Sequence, residues 1–293
     1  GAVMTSFGAG LFVLPHGIHV DDDGNVWVTD SQGNESGTKG HQVIKFSPDG
    51  EVLLVLGTPG ERGDPPTHFS EPNDVVIGPD GSIYVGEAHN GQFLDEPGPN
   101  AIGRISKFAS DGSFIKSWGQ WGFRDGEFRA PHSLSFDSQG RLFVADRGNN
   151  RIQLFDQDGN HLDTWYQFSR ISGLFIDDND VLYAIDSESD ENYKWIKEGT
   201  LPDKRNTKVK INDATSGPDG SFYCGTDASD YENDVVFRVN PDETIDIIDE
   251  GVKLCNGMGF SPDETIFYST DTIQKIIYPI LFNLPLNIPR SWW

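Results

Sequence analysis

Two Pro-His dipeptides, at His16 in PHGIHVDDDGNVWVTD and His132 in PHSLSFDSQGRLFVAD, set the chemistry this chain can be expected to do. Four further segments align with them, and the column holding the histidines reads His16, Asn73, His132, Ser172, Asn212 and Asn256. Every member is polar in otherwise apolar surroundings. The next column, Gly17, Asp74, Ser133, Gly173, Asp213 and Gly257, is small or acidic and leaves room around a bound group. Imidazole, amide and carboxylate donors in a ring suit one divalent cation: the oxygens favour Ca²⁺ or Mg²⁺, the histidines Zn²⁺, Mn²⁺ or Fe²⁺. The expected ligands are His16, His132 and Asn256, with zinc and calcium both open. Asn, Asp and Ser at such positions also serve as plain strand caps and turns.

The elements that must position this column are hairpins. Each aligned segment is a short apolar strand, an Asp/Gly-rich turn and a second strand with an aromatic near its middle, starting near residues 15, 72, 131, 171, 211 and 255. An outer hairpin follows in most units, as in HQVIKFSPDGEVLLVLG and NRIQLFDQDGNHLDTWY. Four antiparallel strands per unit predict an all-β, six-bladed β-propeller forming a single domain over residues 1–293. Two β-sandwiches would not require the same hairpin pair to recur. The last unit is short of strands, so Leu11–Leu14 or the residues before them are expected to close the ring. Trp118, Trp121 and Phe123 are expected to wedge the second and third blades together.

In such a blade the start of the first strand and the end of the second share a face. That face gathers Asp30, Glu87, Asp146 and Asp186, and just beyond them His89 and Arg147. Asp74 or Asp213 would act as a base, His89 as an acid or base near neutral pH, and Arg147 as a fork for a carboxylate or oxyanion. An ion pair of Arg147 with Asp146 or Asp186 is the alternative. Asn73, Asn212 and Glu87 are assigned to substrate. Insertions at 88–102 and 187–206 leave from this face as a prospective lid. His19 reads as structural, and Asp21–Asp23 as a hairpin turn, since the EF-hand order is missing.

Composition narrows the partners. With 46 acidic against 22 basic residues the formal charge is −24, which disfavours nucleic acid. No stretch is long and unbroken enough to span a bilayer, and Cys224 and Cys255 fit no metal spacing. A small-molecule substrate, no membrane partner and a monomer are expected. The compartment stays open, with secreted or periplasmic favoured.

These motifs carry a resemblance. LPHGIHVDDDGNVWVTD, GHQVIKFSPDGEVLLVLG and FRAPHSLSFDSQGRLFVADRGNNRIQLF closely resemble NHL-repeat propellers of the peptidyl-hydroxyglycine amidating lyase type, over residues 12 to about 165. The resemblance implies zinc ligands at His16 and His132 and an active-site arginine at Arg147. The family's third zinc histidine falls on Asn256, and its catalytic tyrosine on His89. The second half is similar to the senescence marker protein and gluconolactonase family, through INDATSGPDGSFYCGTD and CNGMGFSPDETIFYSTD, over roughly 205–272. There the resemblance implies substrate contact at Asn212 and metal ligation at Asn256.

Three functions compete. The first is a metal-dependent hydrolase of lactones or related esters, the second a metal-dependent carbon–nitrogen lyase of the amidating type. The third is a non-catalytic binding propeller, which fold alone does not exclude.

Overall fold

The computed structural model describes residues 6–94, 98, 101–168, 170–186, 210–227, 234–241 and 244–281. Alternating strand residues joined by tight turns give antiparallel hairpins; a positive-φ glycine closes many of the turns, and Asp180 and Glu264 take that conformation where glycine is missing. The first sheet runs β1 (Pro15–Val20), β2 (Val26–Asp30), β3 (Gln42–Phe46) and β4 (Val52–Leu56). The second is β5 (Pro72–Ile77), β6 (Ile83–Glu87), β7 (Arg104–Phe108) and β8 (Phe114–Trp118). The third is β9 (Pro131–Phe136), β10 (Leu142–Asp146), β11 (Arg151–Phe155) and β12 (His161–Trp165). A hairpin of β13 (Ile171–Ile176) and β14 (Leu182–Asp186) precedes the four-stranded sheet β15 (Lys210–Ser216), β16 (Phe222–Asp227), β17 (Asp234–Val239) and β18 (Ile245–Val252). The last sheet is β19 (Cys255–Phe260), β20 (Ile266–Asp271) and β21 (Ile276–Leu281).

The innermost strands neighbour one another in a closed cycle, β1, β5, β9, β13, β15, β19 and back to β1. This is a β-propeller. Five of its blades carry three or four described strands, and β13–β14 alone stands in the remaining place, so the expected six full blades are reduced to five. The outer part of the fourth unit, with the prospective lid at 187–206, lies outside the described residues. No described helix is long and apolar enough to cross a membrane.

Apolar burial lies between successive blades rather than within them. Trp27, Val43, Phe69, Val75, Ile83 and Phe108 join the first to the second, and Tyr84, Ile105, Leu134, Leu142 and Phe155 the second to the third. Trp118 packs on the latter cluster as expected, whereas Phe123 is 58% exposed. Closure draws on both stretches: Phe7, before Leu11, bridges antiparallel to Ile277 of β21, and Phe12, within Leu11–Leu14, is buried against Phe46.

Candidate metal centre

Each inner strand carries a β-bulge near its start, and the bulge decides what faces the axis. In β5, β9, β13 and β15 the pairing register skips Asn73, His132, Ser172 and Asn212 in turn, and in β1 it skips His16 together with Gly17. A bulged residue is released from the ladder and its side chain is re-aimed. In β19 the skip falls one residue later, at Gly257, which holds a left-handed φ of 57°. Asn256 therefore stays in the ladder opposite Thr270.

The released side chains stitch blades together. His16 Nδ1 donates to the Asn73 carbonyl at 2.8 Å, Asn73 Nδ2 to Pro131 at 3.1 Å, and His132 Nδ1 to Ser172 at 2.8 Å. Asn212 Nδ2 donates to the Cys255 carbonyl at 2.9 Å. The stitch uses Asn73 Nδ2 and leaves its Oδ1 buried with no hydrogen-bond partner among the described residues. In the histidines, with Nδ1 bearing the proton, the Nε2 lone pair is the atom left for a metal.

His16, His89 and His132 come together, with one potential ligand atom from each lying within 4.8 Å of the others. Tetrahedral zinc with bonds of about 2.0–2.1 Å needs nitrogens about 3.4 Å apart, within reach of side-chain rotation. The His16 ring packs edge-on to His132 and His89, with centroids 4.7 and 4.9 Å away. His89 comes from a 3₁₀ turn, η1 (His89–Phe93), that follows β6, and its buried Nδ1 has no hydrogen-bond partner among the described residues. Three imidazoles, with no carboxylate joining the cluster among the described residues, are a donor set for zinc-like ions rather than calcium.

Burial holds all three neutral. His16 is pushed down to about 3 by burial and then by His89, and His89 to about 4 by burial and then by Arg147. His132 falls well below the ordinary histidine range through burial, Arg147 and its two neighbours. Neutral imidazole is the ligating form.

Arg147 opens a second 3₁₀ turn, η2 (Arg147–Asn149), and its Nη1 donates to His132 Nε2 at 2.9 Å. Asp146 is not its ion-pair partner; that carboxylate is taken by Arg151 Nε at 2.9 Å.

His89 joins His16 and His132 in one cluster. Asn256 Oδ1 accepts from Asn212 at 2.7 Å and its Nδ2 donates to Thr272. Glu87 is fully buried in the blade, accepting from Ser70 N, Ser106 and the Arg104 guanidinium, so it is closed to substrate. The same cap recurs where Asp30, Asp146 and Asp271 accept the backbone N–H groups of Leu14, Arg129 and Lys253. Asp74 accepts from Val75 N and from Leu134 N and Ser133 of the next blade, and Asp213 from Ala214 N and Gly257 N. Burial still raises these carboxyls, to about 7 and about 6. Both line the central channel, a cavity of about 790 Å³ that also meets His16 and His132. Asp21 serves its own turn, accepting from Asn25 and Trp27 Nε1.

Residues 128–155 match the NHL repeat, and residues 167–287 match the SMP-30/Gluconolactonase/LRE-like region. The chain is similar to peptidyl-glycine alpha-amidating monooxygenase B of Xenopus laevis, 32% identical over 268 residues that cover 82% of this chain and 27% of that protein. It is also similar to a probable peptidyl-alpha-hydroxyglycine alpha-amidating lyase of Caenorhabditis elegans, 32% identical over 157 residues, 52% of this chain and 40% of the other. The chain thus spans about a quarter to two-fifths of these relatives. Among solved structures, virginiamycin B lyase of Staphylococcus aureus superposes with a TM-score of 0.60 at 14% identity, over 95% of this chain and 99% of that one, a likeness of fold. The chain is a β-propeller with an NHL repeat in its third sheet, an SMP-30/gluconolactonase-like region from β13 to β21, and amidating-lyase-like relatives.

Proposed function

We propose that the chain is a divalent-metal-dependent carbon–nitrogen lyase acting on a small carbinolamide of the peptidyl-hydroxyglycine kind. The observation that carries this reading is the cluster of His16, His89 and His132, two of them oriented through Nδ1 by backbone carbonyls. The amidating-lyase relatives supply the substrate class. An ion held by these imidazoles would act as a Lewis acid on the substrate's carbinol oxygen. Arg147 has the fork that a substrate carboxylate needs, beside the same imidazoles. Cleavage breaks the bond between the carbinol carbon and the amide nitrogen. The hydroxyl proton ends on that nitrogen, giving an amide and an aldehyde acid without consuming water. His89 takes the place of a third histidine that the amidating-lyase resemblance puts at Asn256. The protein would act as a monomer, without nucleic acid or membrane, and β13–β14 would be the inner half of a sixth blade.

A second reading, a metal-dependent lactonase, is favoured by the match over 167–287 and by the contact between Asn212 and Asn256. A panel containing a peptidyl-hydroxyglycine analogue and several aldonolactones separates the two. Amide and glyoxylate release that depends on metal and is abolished in His132→Ala supports the lyase. Turnover of lactones alone supports the second reading, and a protein that turns over neither and holds no metal is a binding propeller.

A further inference from the structure

The third imidazole stands on an unusual support. His16 and His132 are built into sheet, whereas His89 rides on a five-residue 3₁₀ turn entered through Ala88 at a left-handed φ of 102°. Such a turn lacks the ladder that holds a strand, and η1 has no side-chain cap at its start. Carbonyls at its C-terminal end are instead gathered by the Arg129 side chain. Arg129 Nη2 donates to the carbonyls of Gln92 at 2.8 Å and Leu94 at 2.7 Å, while Nη1 donates to that of Gly148 in η2 at 3.1 Å. One guanidinium thus ties together the turn bearing His89 and the turn bearing Arg147.

The surroundings are shaped for this tie. The Arg129 backbone N–H is fixed by Asp146 at 2.9 Å, and its guanidinium lies over the rings of Phe123 and Trp121, 5.3 and 5.9 Å from their centroids. Trp121 Nε1 takes a further carbonyl, that of Gly91 in η1, at 3.0 Å. A Cβ on Gly148 would lie 2.7 Å from Arg129 Cβ and 3.1 Å from Gln92 Cα, so only glycine lets the two turns approach this closely. Gln92 completes the link by donating from Nε2 to the His89 carbonyl at 2.9 Å.

We propose that Arg129 is a positioning residue for the metal centre, holding η1 against η2 so that His89 reaches the pair formed by His16 and His132. Its bearing on metal rests on the reading of that cluster given above; its bearing on η1 does not. A planar fork serves three carbonyls at once, which the point charge of lysine does not reproduce.

The test compares wild type, Arg129→Gln, Arg129→Lys, His89→Ala and the Arg129→Gln/His89→Ala double variant. Amide hydrogen exchange is read on the metal-free proteins, and Zn²⁺ affinity by chelator competition. Arg129→Gln is expected to speed exchange at least tenfold over residues 88–94 and 147–150 while β15–β21 stays at wild-type rates. Zinc affinity should fall at least tenfold, and the double variant should match His89→Ala within twofold, since both changes remove the same ligand. Arg129→Lys should lie between wild type and Arg129→Gln, and it carries the test if Arg129→Gln does not fold. Unchanged exchange at 88–94, or zinc losses that simply multiply in the double variant, would overturn the proposal. A wild type that binds no zinc overturns the functional reading instead, and the exchange rates alone then decide whether Arg129 holds η1.

Discussion

The Arg147 guanidinium donates to the Nε2 atom of His132 across 2.9 Å, on the lone pair that a metal would take. The hydrogen bond and metal ligation at that atom exclude each other. Metal at Nε2 would displace this Arg147 Nη1 from His132. Arg147→Ala removes both a competitor and a nearby positive charge, so it is expected to bind zinc more tightly, by roughly tenfold for about 1.4 kcal/mol. The same variant should lose most lyase activity. Zinc competition paired with turnover checks this, and weaker zinc binding would show that Arg147 supports the site in another way.

Acid should reveal the partly buried imidazole of His89. Its pKa in the fold is about 4 against an ordinary 6.5, so between these values the unfolded chain binds the proton and the folded chain does not. Metal-free wild type should thus lose stability relative to His89→Ala as pH falls from 6.5 towards 4, by on the order of 3 kcal/mol in total. Above pH 7 the difference should be flat. Urea unfolding of both proteins at a series of pH values gives the comparison, and a difference independent of pH would place His89 in water.

Glu87 should prove structural. Glu87→Gln leaves the Arg104 guanidinium facing a neutral amide in a buried setting, where loss of one partner costs about 3–5 kcal/mol. The expected result is a large drop in unfolding free energy. KM should remain at the wild-type value wherever the protein is folded.

The ring should depend on its N-terminal closure. Phe12 is 2% exposed within the cluster that joins the last blade to the first. Phe12→Ala is expected to cost about 3–5 kcal/mol, and removal of residues 1–13 at least as much. A truncated chain with unchanged thermal stability would contradict closure through Phe7 and Phe12.

The strands were legible because each hairpin pairs apolar alternation with an Asp/Gly turn, a local signal that repeats. The polar column was legible for the same reason. What escaped was governed by single-residue shifts and by side-chain competition. Nothing in CNGMGF shows that its bulge falls on Gly257 and leaves Asn256 in the ladder. His89 follows a strand and has no periodicity, so its meeting with His16 and His132 emerges only in three dimensions. Glu87 and Asp146 carry the chemistry of ligands, yet backbone N–H groups and arginines occupy them first. Arg129, ahead of the second Pro-His motif, carries no sequence signal of its role, which lies in the convergence of the Gln92, Leu94 and Gly148 carbonyls on it.

The most direct test of the central claim is anomalous scattering at the zinc edge from crystals of the zinc-loaded protein. The account predicts one peak on the propeller axis at about 2.0–2.1 Å from a nitrogen of each of His16, His89 and His132. A peak held instead by Asn212 and Asn256, or no peak with zinc in excess, would contradict it.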